Sequence, residues 1–448
     1  MKICNDVTIH VPDSLQLMTP YVLQEQKDWF EDEIKFLRSY IKPGMKVLDI
    51  GANYGVYTLS IAKLAGESGK IWAFEPTSTT AEYLKKSIRD NNFSNIELIQ
   101  AGLSDRIGKA KLFTSPNAEL NSLHKESVGG ENSESIMLLT LDHCKKKYGW
   151  VDIDFIKLDA EGEEKNILKK GKNTLSALSP LIMYELKHGE KVNTPLINLF
   201  AQHEYNSYRL VPGLNILVPF NADLPFDAFL LNLFCCKDEK AKLLEAEGVI
   251  APEWEHGESL QEEAIRQTSL SPLTADGLFD EKKSSSEYKD ILKMYLLSKS
   301  PDIESRKKVS CLMTALEKLR NLVDRGENNI EKLSTLSRLA FEAGQRAWGV
   351  RILTHLINTY HAKMDFEVHE PLLPPCPRYD EIIPNQQNSR AWLFSSFLEQ
   401  YVEKHAFSTY FTRTTTLPHI ELLAKLGFLS EDMRRRKEMI MQCFAGQG

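Results

Sequence analysis

The chain has 448 residues, 42% hydrophobic and 26% charged, with a formal net charge of −7. This is ordinary globular composition, and at roughly 100–200 residues per domain it allows two or three domains. The negative balance argues against a broad nucleic-acid or anionic-membrane surface, and no apolar run reaches the roughly 18 residues of a membrane span.

The first residues, MKICNDVTIHVPDSLQ, lack the apolar core of a secretion signal. Trp29, Phe30, Ile34 and Leu37 recur at helical spacing and predict one helix from about Glu25 to Tyr40. MKVLDI (Met45 to Ile50) is too short and apolar for a helix and predicts a strand buried on both faces. A helix over Val56 to Ala65 follows, then a strand over Lys70 to Glu75, a helix over Thr80 to Asp90 and a third strand over Asn95 to Gln100. Lys109 to Thr114 and Ser135 to Leu141 are strand-like, with a polar, mobile loop expected over Ser115 to Glu134. Asp152 to Asp159 gives a fourth core strand, Glu163 to Lys170 a helix stopped by Gly171, and Pro180 to Leu186 a fifth strand. Residues 194–203 are expected to be helical, and Tyr208–Leu210 with Asn215–Val218 to close as a hairpin around Pro212-Gly213. Strands alternating with helices imply a mainly parallel, doubly wound α/β sheet.

Beyond residue 225 the pattern changes. Residues 226–247 read as helical, 250–285 as a polar linker and 286–448 as an α-helical C-terminal domain. Ser334 to Tyr360 resembles one tetratricopeptide-type hairpin through Leu339, Ala340 and Gly344, although such arrays need several stacked units. Residues 370–386 carry five prolines and exclude a continuous helix. The Arg434, Arg435, Arg436 triplet reads as a solvated helix end. The seven cysteines are scattered and include no C-x-x-C, so neither a disulfide framework nor a zinc cluster is expected, and a reducing, cytoplasmic setting is. Adjacent Cys235 and Cys236 read as small buried hydrophobes.

The chemistry concentrates at the ends of the predicted strands. Asp49-Ile50-Gly51-Ala52-Asn53-Tyr54-Gly55 follows the first strand and opens the first helix, where ligands of open α/β sheets bind. Gly51 and Gly55 permit tight turning and close backbone approach. The helix start offers N–H groups to a carboxylate, and Asp49 suits a cationic amine, a pairing that fits an amino-acid moiety. Asn53 stands where a dinucleotide fingerprint has its second glycine, and no phosphate-binding G-x-x-x-x-G-K-[ST] occurs, which lowers NAD, FAD and ATP as ligands. Glu75 lies 24 positions beyond Gly51, placed to accept hydrogen bonds from ribose hydroxyls. Adenosine plus an amino acid points to S-adenosylmethionine. Asp159 and Glu161, ending the fourth strand in LDAEGE, are candidates to take or orient a proton from a hydroxyl nucleophile. Glu185 is a further candidate with His188 just beyond, and Glu163 reads as a cap of the following helix.

VLDIGANYGVYT, AFEP, LSD, IDFIKLDAEGEEKNILKKG and LIMYELK together resemble the FkbM family of S-adenosylmethionine-dependent methyltransferases, named for a macrolide O-methyltransferase, over about residues 25–235. The resemblance implies a class I methyltransferase (Rossmann-like) fold and O-methylation of a hydroxyl, often on a sugar or polyketide. Carried over by position, Asp49, Gly51, Asn53, Gly55 and Glu75 match the cofactor positions, and Ser104 matches the position that meets the adenine. Asp159, Glu161 and Gly162 match the second signature, with Ala160 where a valine is common.

The expectation is therefore an N-terminal helical lead-in over 1–44 with Trp29 and Phe30 lidding the cofactor, a methyltransferase domain over 45–235, and a helical C-terminal region. The expected activity is S-adenosylmethionine-dependent O-methylation of a small-molecule or glycan hydroxyl acceptor, with no nucleic acid, no membrane span and no metal. A protein partner is expected through the C-terminal helices. Two rivals stand beside it: a degenerate cofactor binder serving a helical interaction module, and a dehydrogenase on the same sheet.

Overall fold

The structure, a computed structural model, describes residues 1–123, 132–188, 191–252, 262–361 and 365–444. The chain divides into two compact units. The first holds Met1–Leu210, Pro219–Pro225 and Leu230–Glu247, and the second Val211–Val218, Phe226–Phe229 and Gly248–Gly448.

The first unit carries seven strands of a central sheet: β1 (Lys46–Ile50), β2 (Lys70–Phe74), β3 (Ile96–Ile99), β4 (Phe155–Leu158), β5 (Leu181–Glu185), β6 (Asn206–Val211) and β7 (Asn232–Cys236). Their order is β3-β2-β1-β4-β5-β7-β6. Neighbours from β3 to β5 run parallel, whereas β7 is antiparallel to both β5 and β6. This is the class I methyltransferase arrangement. Every residue of β4 is buried, and β1 is buried from Val47 on, as continuous apolar runs in a covered parallel sheet must be. The order reverses beside β1, so the loops after β1 and β4 open on one crevice.

Register brings chemistry together. Asp49 pairs with Lys157 across β1 and β4, and Tyr184 pairs with Leu158 across β5 and β4. Glu185 therefore stands beside Asp159 at the carboxyl ends of the strands.

Two local expectations are corrected. The lead-in is not one helix over 25–40 but two, Met18–Gln26 and Asp32–Tyr40, the first closed by Lys27 in a left-handed conformation with φ 57°. The intervening turn is stapled by Arg38, which donates to both oxygens of Asp28 at 2.6 Å. Residues 226–247 are not wholly helical, since β7 precedes the helix Asp238–Ala246. NLFCC is buried at all five positions, so it lacks the alternation by which a strand is recognised. Cys235 and Cys236 are indeed packed there as fully buried free thiols.

In the second unit, the helices Ser286–Lys299, Ser305–Asp324, Ile330–Glu342, Arg346–Tyr360, Ser389–Lys404, Leu417–Lys425 and Glu431–Phe444 pack each on the next. The turn between the third and fourth places Gly344 at φ 79°. Where a polar linker was expected, the described part of 250–285 forms a helix, Glu262–Gln267, and 3-10 turns that bury Ile265, Leu270 and Phe279. Leu217 bridges Ile250, Gly213 donates its N–H to the Glu342 carbonyl, and Asp227 accepts from the Ala347 N–H. The proline-rich stretch holds a 3-10 turn, Pro377–Asp380. Arg436 departs from the solvated reading: it is buried in the last helix, near Glu403.

Candidate active site at the carboxyl ends of the strands

The loop after β1 turns through three left-handed residues, Gly51 (φ 85°), Asn53 (φ 49°) and Gly55 (φ 94°), before the helix Val56–Ala65. Gly51 has no room for a side chain, since a Cβ there would lie 1.7 Å from the carbonyl oxygen of Asp159. A Cβ at Gly55 would lie 2.4 Å from Leu84 Cδ1. The first glycine thus lets the loop after β1 dock on the backbone of the loop after β4, and the second seats the helix against its neighbour.

Asp49 is 0% exposed. Its Oδ2 accepts from Thr58 Oγ1 at 2.5 Å, Oδ1 has no hydrogen-bond partner among the described residues, and the Lys157 ammonium lies 4.0 Å away. Burial pushes its carboxyl above the usual range, although Lys157 and Thr58 pull it back.

Glu75 is buried just past β2. Its two oxygens accept from the backbone N–H of Asn53 at 2.9 Å and of Thr77 at 2.8 Å, clasping the loop after β1 to the loop after β2. Burial pushes its carboxyl up to about 7 against these bonds. The clasp was not foreseen, because a backbone amide leaves no mark in the sequence. Ser104 is fully buried and donates to Glu163 Oε2 at 2.6 Å. Glu163 makes no capping bond to its own helix; it accepts instead from Ser104 and Asn166. The carboxylate that folds onto the loop is Glu164, whose Oε1 accepts from the Ala160 and Gly162 amides at 2.9 and 3.3 Å.

Across the crevice, Asp159 is half-buried, with Oδ2 2.8 Å from the Lys157 ammonium. Glu161 adopts φ 49°, and its carbonyl accepts from Ser122 Oγ at 3.3 Å. Glu185 lies within the field of Asp159, Glu161, Glu164 and Glu31. Burial first, and these neighbours next, push its carboxyl up to about 11, which favours its protonated form at neutral pH. The strand Lys187–His188 follows, and the His188 side chain lies outside the described residues.

Lys157 was missed by the sequence reading. It sits on a fully buried strand, its ammonium is 5.1 Å from the Tyr57 ring, and burial, which would lower its basicity, is outweighed by Asp159 and Asp49, which raise it. The available signal was a lysine inside an apolar run, which demands a buried partner. Glu31 was missed as well. It stands at the N-cap of the helix Asp32–Tyr40 but makes no cap bond; it accepts from the hydroxyl of Tyr57 and from the Trp29 side chain. Trp29 and Phe30 pack against each other at 4.6 Å between ring centres. The structure thus gathers Asp49, Gly51, Asn53, Gly55, Glu75, Asp159, Glu161 and Glu185 at neighbouring strand ends, and leaves Ser104 behind them in the core.

Comparison with known proteins adds four findings. Residues 49–208 match the family model for the methyltransferase FkbM domain. The chain is 25% identical over 142 residues to a protein of Sulfurisphaera tokodaii named as a cobalt-precorrin-6B C(15)-methyltransferase (decarboxylating), covering 31% of this chain and 69% of that one. It is 27% identical over 84 residues to a demethylmenaquinone methyltransferase of Bacillus subtilis, covering 19% of this chain and 35% of that one. Among solved structures, a SAM-dependent methyltransferase from Aquifex aeolicus is similar with a TM-score of 0.27 at 15% identity, covering 48% of this chain and 92% of that one. The strand order, and not this last likeness, defines the fold.

Proposed function

We propose, from the match of residues 49–208 to the family model for the methyltransferase FkbM domain, that the protein is an S-adenosylmethionine-dependent methyltransferase acting on a hydroxyl oxygen of a sugar, glycan or secondary metabolite. One observation carries the reading. The loop holding Gly51 rests on the carbonyl of Asp159, so the cofactor loop and the acidic loop form one crevice.

The residues fit the cofactor. Asp49 keeps a buried oxygen without a hydrogen bond among the described residues, suited to an amine, and the helix start after Gly55 suits a carboxylate. Glu75 has lone pairs left for ribose hydroxyls. Gly51, Asn53 and Gly55 shape the backbone, and Ser104 acts behind the site by holding Glu163. When bound, the cofactor supplies an electrophilic methyl group. Asp159, tied to Lys157, orients the acceptor hydroxyl, Glu161 takes its proton, and protonated Glu185 donates a hydrogen bond to the acceptor. Methyl-labelled cofactor supplied to the purified chain with pooled metabolites and glycans tests this. Ether-type methyl signals by NMR are expected; C-methyl or N-methyl products, or none, would discard it.

A second reading keeps the sheet as a degenerate cofactor binder serving the helices. The stacked pairs after Ser286 favour it, because such pairs offer binding surfaces. Cofactor bound by calorimetry without methyl transfer to any acceptor supports that alternative.

A further inference from the structure

We infer, resting on the cofactor placement proposed above, that Asn121 is a positioning residue for ribose recognition, acting through the Thr77 hydroxyl on the carboxylate of Glu75. Asn121 sits on a loop that closes on itself. Phe113 and Ser122 pair antiparallel, each N–H donating to the other's carbonyl at 2.9 and 3.1 Å, with a 3-10 turn, Ala118–Leu120, between them. Compact loops with joined ends are frequently functional. Inside this one, Asn121 Oδ1 accepts from the Ser115 N–H at 2.8 Å, which fixes the side-chain amide.

The loop touches four parts that meet at the crevice. Asn117 accepts from the Met18 N–H of the lead-in at 2.9 Å. Glu119, whose carboxyl burial pushes up to about 7, acts together with Glu75 on Tyr54 of the loop after β1. Ser122 donates to the Glu161 carbonyl in the loop after β4. Asn121 Nδ2 donates to Thr77 Oγ1 at 3.3 Å, in the loop after β2.

This last contact carries the inference. Thr77 is buried and serves Glu75 twice, from its N–H at 2.8 Å and from its hydroxyl. A hydroxyl has one proton to give. The Asn121 amide occupies the oxygen as a donor, so the hydroxyl proton is directed to Glu75. Without that amide the hydroxyl can turn, and Glu75 loses a fixed donor. Burial already pushes the Glu75 carboxyl up to about 7, and bonds from Thr77 and Asn53 hold it toward the charged form. That form, an acceptor only, is the one that suits ribose hydroxyls. Asn121 has no place in the strand-to-helix pattern, so its link to Glu75 is visible only in the fold.

The test measures S-adenosylhomocysteine affinity of the full chain by calorimetry. Asn121→Ala, at unchanged melting temperature, is expected to weaken binding about three- to ten-fold, the loss of one supporting hydrogen bond. Asn121→Asp keeps the bond to the Ser115 amide and is expected to lose at least as much, which keeps the test open should the alanine variant fold poorly. Asn117→Ala loosens the same loop without touching Thr77 and should cost less than about two-fold. Thr77→Val should bind as weakly as Asn121→Ala or more so, and Thr77→Ser, which keeps the hydroxyl, should bind nearly as the native chain does. Added to Thr77→Val, Asn121→Ala should cost nothing further. Native affinity in both Asn121 variants, an equal loss in Asn117→Ala, or a full additional loss on top of Thr77→Val overturns the inference alone. No binding of S-adenosylhomocysteine by the native chain overturns the cofactor placement and the inference together.

Discussion

The ammonium of Lys157 lies 2.8 Å from a carboxylate oxygen of Asp159 and 4.0 Å from one of Asp49, joining the cofactor side of the crevice to the acceptor side through one buried cation. Lys157→Met removes it and leaves two carboxylates uncompensated. Breaking a buried pair from one side costs about 3–5 kcal/mol. Urea unfolding is expected to show a loss of that size; a change under about 1 kcal/mol would mean that the carboxylates do not need the lysine.

Gly51→Ala puts a methyl group 1.7 Å from the Asp159 carbonyl, at a φ of 85° that disfavours any side chain. Overpacking of about 1–3 kcal/mol adds to about 1–2 kcal/mol for the left-handed conformation. The melting temperature should fall and cofactor binding should be lost together. Gly162→Ala, also at positive φ but with open space around its Cβ position, should cost less. Equal losses in the two variants would sink the argument from docking of the loops.

Stability should carry a slope from Glu185. Its folded-state carboxyl holds a proton up to about 11, while an unfolded one releases it near the ordinary glutamate value of 4.5. Between those limits the folded state binds more protons, so this contribution is full below 4.5 and is lost as pH rises toward 11. Glu185→Gln mimics the protonated form and lacks the slope. The melting temperature of the variant minus that of the native chain should grow from pH 5 to pH 9. A flat difference would show that Glu185 ionises like an ordinary surface carboxylate.

Asp49→Asn keeps the size of the side chain and removes its charge. A charged hydrogen bond contributes about 1.5–3 kcal/mol, so affinity for S-adenosylmethionine should drop about 10–100-fold by calorimetry. Unaltered affinity would remove Asp49 from the cofactor site.

Deleting residues 248–448 should not yield a well-behaved methyltransferase half. Val211–Val218 and Phe226–Phe229 belong to the second unit, where Leu217 bridges Ile250 and the Arg346 guanidinium stands 4.4 Å from the Phe229 ring centre and 4.6 Å from that of Phe407. The truncated chain would expose these apolar segments and is expected to aggregate on gel filtration. A monodisperse, cofactor-binding truncation would refute this.

The parallel strands were legible because burial on both faces writes itself as short apolar runs, and the loop after β1 because its glycines and Asp49 sit at a fixed offset from such a run. β7 escaped because NLFCC has no period of two and precedes a true helix. The break at Lys27 escaped because Asp28 and Arg38, which fix it, are ten residues apart. In the site, residue types at strand ends could be read, but not their partners. Glu75 meets backbone amides, Ser104 turns to Glu163 in the core, and Glu31 meets Tyr57 across two helices. Each is a tertiary contact with no local signature. Asp159 and Glu185 were both read as bases, and only their neighbours separate an ion-paired carboxylate from a protonated one.

The division of the chain also bears on its birth at the ribosome. The two segments that the second unit borrows, Val211–Val218 and Phe226–Phe229, emerge before the main body of that unit, Gly248–Gly448. At ~5–20 residues per second, the remaining stretch of about 200 residues takes roughly 10–40 s to synthesise. For that interval Leu217, Val218 and Phe229 wait without their final neighbours, so the nascent chain passes through a stage in which a nearly complete sheet trails sticky, unburied segments.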